Sequence, residues 1–155
     1  MSASYVRIHS DAAIGANIKN AQPSVTIAQN MKRLVRIKFV ATGRLTGLEV
    51  RQTGGTNVAF TVDLLTTKAP YPPDTDVPVG DAAAITISTY RVIPQIVGTA
   101  GNPASFDDDT FGYLFRNVDG GFTDQQRYLY VLITPIDDVD PTTWDIRLEA
   151  ECYVQ

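Results

Sequence analysis

Residues 143–154 read TWDIRLEAECYV, and in them Trp144, Ile146, Leu148, Ala150, Cys152 and Val154 alternate without a break with Thr143, Asp145, Arg147, Glu149, Glu151 and Tyr153. A period of two over this length is a half-buried antiparallel strand, because successive side chains of an extended chain point to opposite faces. Wound as a helix, the same residues would set Asp145, Arg147 and Glu149 around the whole circumference and leave no apolar stripe. Strands average about five or six residues, so this one spans a whole sheet. Trp144 is in phase with Ile146 and Leu148 and belongs to the core.

Working back from that strand, residues 127–135 (RYLYVLITP) are aromatic and β-branched on both faces, as a central strand is. The connection 136–143 (IDDVDPTT) is turn-rich, and Pro141 cannot donate to a ladder. Together they predict a C-terminal hairpin. Further strands are predicted at 24–29, 32–42, 45–51, 58–65, 85–95 and 112–116, about eight in all, punctuated by turn chemistry at Gly43-Arg44, TGGTN (53–57) and VDGG (118–121). Nothing between them reads as a crossover helix. The fold class is therefore all-β: an antiparallel β-sandwich, Greek-key or jelly-roll-like.

Two connections exceed what a hairpin needs, residues 66–84 and 98–110. Long loops are either functional or the crossings between two sheets. Residues 1–23 differ from the rest: a short β-like piece at 5–9 precedes DAAIGANIKNAQP, where Gly15 and Asn17 weaken any helix. This segment is an N-terminal arm or an edge segment, and residues 24–155 form the sandwich domain.

The 155 residues carry a formal charge of −4, which argues against general nucleic-acid binding, since phosphate contact needs clustered Lys and Arg. The one basic cluster, Lys32, Arg33, Arg36 and Lys38, reads as a solvated face or as a docking patch for an acidic partner. Cys152 is the only cysteine, so no intrachain disulfide forms. No run of apolar residues is long enough to cross a bilayer as a helix, and the start MSASYVRIHSD lacks the apolar core of a signal peptide, so synthesis in a cytoplasm without export is expected.

Chemistry is sparse. His9 is the sole histidine, and no motif joins it to Cys152 or a serine as a catalytic pair. One His and one Cys do not make a structural zinc site. Asp107, Asp108 and Asp109, and Asp137, Asp138 and Asp140, are hard-oxygen clusters of the kind calcium uses, but neither follows a calcium-loop pattern, and Asp is a frequent turn former. The glycines form no phosphate-binding motif. No catalytic residue, cofactor or metal is expected. The aromatics Tyr71, Phe106, Phe111 and Tyr113, in or beside the long loops, and Tyr5, Ile8, Ile14 and Ile18 of the N-terminal segment are candidates for contact with a partner.

With its arm MSASYVRIHSDAAIGANIKNAQP, strands separated by polar Gly and Pro loops, and closing strand TWDIRLEAECYV, the chain resembles the small β-sandwich accessory proteins of tailed-phage particles, the cement or decoration proteins. The resemblance lies in architecture and composition. It implies a structural virion protein that is not an enzyme, binding a major capsid or other virion protein, and assembled as a homo-oligomer, with a trimer favoured. The competing expectation is a carbohydrate-binding or adhesion module in which the 66–84 and 98–110 loops form a shallow site with Tyr71, Phe106 and Tyr113. Deleting residues 1–23 is predicted to leave a folded domain that no longer assembles; sedimentation of the truncated and intact chains side by side checks this, and unchanged assembly argues against the arm.

Overall fold

The structure, a computed structural model, describes residues 4–9, 24–38, 43–68, 70–107, 114–115 and 128–154. Eleven strands lie among them: β1 (Ser4–His9), β2 (Val25–Ile27), β3 (Met31–Lys38), β4 (Gly43–Gly54), β5 (Phe60–Leu65), β6 (Asp76–Pro78), β7 (Ile96–Gly98), β8 (Ala104–Asp107), β9 (Leu114–Phe115), β10 (Tyr128–Pro135) and β11 (Thr142–Val154). They form two wholly antiparallel sheets, one ordered β1-β11-β4-β8, with β2 also on β11 and β9 on β4, the other ordered β6-β3-β10-β5-β7.

β1 and β2 share one position along β11, and β8 and β9 share one along β4. With β6 set aside as an added edge strand, eight positions remain. Their order is first, eighth, third, sixth in one sheet and second, seventh, fourth, fifth in the other. That is the double-sheet jelly roll. The expected all-β sandwich is therefore present, and the strands in excess of about eight are short pieces.

The predicted C-terminal hairpin is not formed. β10 and β11 lie in different sheets, and residues 136–141 arch between them. A hairpin and an arch between the same strands bury the same apolar faces, so alternation alone does not separate them. The predicted strand at 85–95 is also absent: Ile87–Tyr90 is a 3-10 turn, and the only bridge is Leu65↔Arg91. Pro94 has no amide to donate there, and the outer edge of β5 at Phe60–Val62 is already occupied by β7. Conversely, β6 and β8 lie inside stretches expected as loops, and β7 begins just past the strand predicted at 85–95. Each is too short to show a period.

Between the sheets lies the main core, with Val35, Ile37, Leu45, Leu48, Val50, Phe60, Val62, Leu64, Leu129, Val131, Ile133, Trp144, Ile146 and Leu148 all buried. Trp144 is the core residue expected, fully buried, with its ring edge-on to Phe60 at 4.6 Å between centroids and its indole N–H donated to Thr142 Oγ1 at 2.9 Å. Such an aromatic pair adds about 0.5–1.5 kcal/mol to its burial. A second cluster covers the outer face of the β10 sheet: Leu34, Leu65, Tyr71, Tyr130 and Leu132, with Val77, Ala83 and Ile87 packed on it. Burial on both faces is why residues 129–133 are apolar at every position.

β1 pairs with the second half of β11, from Ser4↔Val154 to His9↔Glu149, and β2 pairs with its start, ending at Val25↔Trp144. Residues 10–23, with the brief helix considered there, lie outside the described residues.

Gly98 shows how tightly β7 closes on the core, since a Cβ there would sit 2.3 Å from Phe60 Cζ. Gly98→Ala is expected to cost about 1–3 kcal/mol through overpacking. It should be read as a lower urea midpoint at unchanged slope, and an unchanged midpoint would show that Phe60 is not held against β7.

Candidate interaction site

Four arches carry the chain between the sheets at one end of the sandwich: 28–30, 55–59, 99–103 and 136–141. Three of them, 28–30, 55–59 and 136–141, are tied together by carboxylates and an amide rather than by a ladder. Asp138 accepts a hydrogen bond from the Asn30 amide at 2.8 Å, and Asp140 accepts from the Thr56 amide at 3.0 Å and from its hydroxyl at 3.1 Å. Ile136 N donates to Ala59 O. The Gln52 side chain donates to Gly54 O and Thr56 O and accepts from Val58 N, standing in for the strand neighbour that the 53–58 turn lacks.

Each tie has a local cause. Asn30 and Asp137 stand at positive φ, 59° and 55°, a conformation their short polar side chains tolerate. Gly55 has φ +85°, and a Cβ there would lie 2.4 Å from Pro141 O, so only glycine lets the 55–59 arch pass under the 136–141 arch. Asp138 and Asp140 thus do turn chemistry, and among the described residues no group of three or more His, Cys, Asp or Glu gathers as a metal site would require.

On this fastened end, apolar side chains face solvent. Of the five exposed large hydrophobic residues among those described, Val79, Ile136 and Val139 belong to it, and Val97 lies at its margin on β7. Val79 is placed beside the first arch by its amide bond to Asn30 O, and Val139 stands between the two tethering aspartates. Val139 is 65% exposed although its neighbour Asp138 is buried, so the loop turns its charge inward and its valine outward. That inversion is the opposite of what a solvent-facing turn needs.

The long 66–95 excursion is folded onto the outer face of the β10 sheet. Lys32 is buried there and donates to Tyr71 Oη and to Asp81 O, both at 2.6 Å, while the Tyr71 hydroxyl donates to Asp81 O at 2.9 Å. Asp74 N donates to Leu34 O, and its carboxylate accepts from Arg36 N beyond the point where β6 stops pairing. At the far end, buried Asp63 accepts from Arg91 Nε at 2.7 Å and from Gln95 Nε2 at 3.1 Å. The basic cluster is therefore not one solvated face. Lys32 is a buried latch, Arg33 is committed to Thr26 O, Asp74 O and the Asp76 carboxylate, and Arg36 is exposed.

Of the aromatics expected to bind a partner, Tyr71 and Phe106 are not brought together. Tyr71 is buried against the β10 sheet with its hydroxyl taken up by Lys32 and Asp81, whereas Phe106 sits on β8 in the other sheet, partly buried against the main core. Tyr71 is a loop residue, as expected, but its loop packs on Leu34 and Leu132, and the ring goes with it. Tyr5 and Ile8 lie on β1 opposite Tyr153 and Ala150. Ile14, Ile18, Phe111 and Tyr113 lie outside the described residues. Sequence reasoning missed Val79, Val97, Ile136 and Val139, because single valines and isoleucines in turns carry no pattern. Among the described residues no helix is long and apolar enough to cross a membrane. Comparison with family models and with curated proteins finds no match to this chain.

Asp63→Ala leaves the Arg91 and Gln95 donors without their acceptor. It is expected to cost about 1–3 kcal/mol and to speed proteolytic cleavage within 85–95 before global unfolding. Cleavage there at the wild-type rate would show that the carboxylate does not hold the excursion down.

Proposed function

We propose that this chain is a structural component of a virus particle, an accessory capsid protein of the cement or decoration kind, that stabilises a shell by protein–protein contact. The observation that carries this reading is the arch end, where Val79, Ile136 and Val139 are offered to solvent on loops fastened by Asp138, Asp140 and Gln52. A contact surface held in place before binding loses little conformational entropy on association, which favours affinity from shallow contacts. The buried polar groups support the same reading, because Lys32, Asp63 and Asp138 are each engaged in holding a loop to the sandwich. Apolar residues ringed by polar ones are the usual composition of such a contact. The partner under this reading is the major shell protein, and the chain acts in the assembled virion.

Particles purified from a culture producing this chain test the proposal. The chain is expected to band with the main shell protein in a density gradient at a fixed ratio. Recombinant chain carrying Val139→Lys is expected to bind stripped particles about tenfold more weakly, equivalent to about 1.4 kcal/mol. Recovery of the chain only from the soluble fraction overturns the reading.

A further inference from the structure

We infer that the free edge of β7 pairs with β7 of a second copy of this chain, antiparallel about a two-fold axis, with Val97 opposite its own counterpart. The five-stranded sheets of the two copies then run on into one another.

An unpaired strand edge is a template for a further strand, and proteins that remain single blunt it with charge, proline or a bulge. Three of the other edges here are blunted in this way. β6 carries Asp76 and ends in Pro78, β1 carries Arg7 and His9, and β8 runs directly into Asp107, Asp108 and Asp109. β7 has no such protection. It uses one side to pair with β5, from Phe60↔Gly98 to Val62↔Ile96, and no described strand uses the other. It lies within residues 92–106, the longest stretch of the chain without Asp, Glu, Lys or Arg. Val97 at its centre is 68% exposed, the most exposed large hydrophobic residue described. Pro94, Gln95 and residues 99–103 beside it are exposed and uncharged too.

The identity of the occupant follows from symmetry. Antiparallel pairing about a two-fold axis sets each residue against its own kind or its mirror position, so a charged edge repels itself and a neutral one does not. An edge adapted to a charged partner strand carries the complementary charge, and this edge carries none. Val97 against Val97 is a β-branched cross-strand pair, a favourable kind, and Gly98 opposite Ile96 leaves the larger side chain room. The contact is isologous and closes on two copies, which departs from the three-fold assembly expected from the resemblance. It does not depend on the proposed shell role, since it involves a strand edge and not the arch tips.

Light scattering on the purified chain tests the inference. An even-numbered mass is expected, halved by Val97→Lys with the circular dichroism spectrum unchanged, and retained by Val139→Lys. In a Cys152→Ser background, Val97→Cys is expected to give a disulfide-linked dimer on oxidation, because opposed Cβ atoms in such a pair lie about 4.5–5.5 Å apart. A single-chain or three-chain mass, a mass unaffected by Val97→Lys, or no covalent dimer each overturns it. Particle binding weakened by Val139→Lys in a chain that keeps its even-numbered mass separates this contact from the shell contact.

Discussion

The edge of the Trp144 ring meeting Phe60 across the gap between the sheets is the contact on which the rest of the sandwich depends. Trp144 belongs to the sheet centred on β11, and Phe60 opens β5 in the other. Around them the inward residues of both sheets exclude water, which at about 25 cal/mol per Å² of apolar surface is the main force opposing the entropy of the extended chain. Gly98 is small because Phe60 needs the space, and Gly55 because the arch from β4 must pass beneath Pro141.

That contact places a demand on the connections. If β4 and β5, and β10 and β11, sit in opposite sheets, the loops between them must cross the end of the molecule, and their backbone groups find no ladder there. Gln52, Asp138 and Asp140 supply the missing partners. Because the carboxylates turn inward to these amides, Ile136 and Val139 turn outward. The exposed apolar tips that support a contact role are thus a consequence of how the arches are satisfied, and the outer face of the β10 sheet repeats the principle with Lys32 and Asp63.

The chain was legible as an all-β sandwich because period-two alternation is local and strong in 143–154, and because the doubly apolar run 127–135 marks a strand covered on both sides. Trp144 in the core could be read for the same reason. The interaction site was much less legible. Tyr71 and Phe106 attract attention as aromatics among Pro, Gly and Asp, yet one folds onto the outer face of one sheet and the other onto the core side of the opposite sheet. Val79, Ile136 and Val139 are inconspicuous in the sequence, since an exposed valine is defined by what its neighbours do and not by its own spacing.

By itself the amino-acid sequence determined which segments extend and which of their faces are apolar, since both follow from the geometry of a single strand. It left open which sheet each strand joins. Residues 136–141 would serve a hairpin or an arch equally well, as either buries Leu129, Val131, Ile133, Trp144, Ile146 and Leu148. Only the tertiary structure decided for the arch, through contacts remote in sequence: Asp138 with Asn30, Asp140 with Thr56, and Ile136 with Ala59. Such pairings depend on chain closure over long loops, and their free energy is set by where the partners stand in space, which no local pattern encodes.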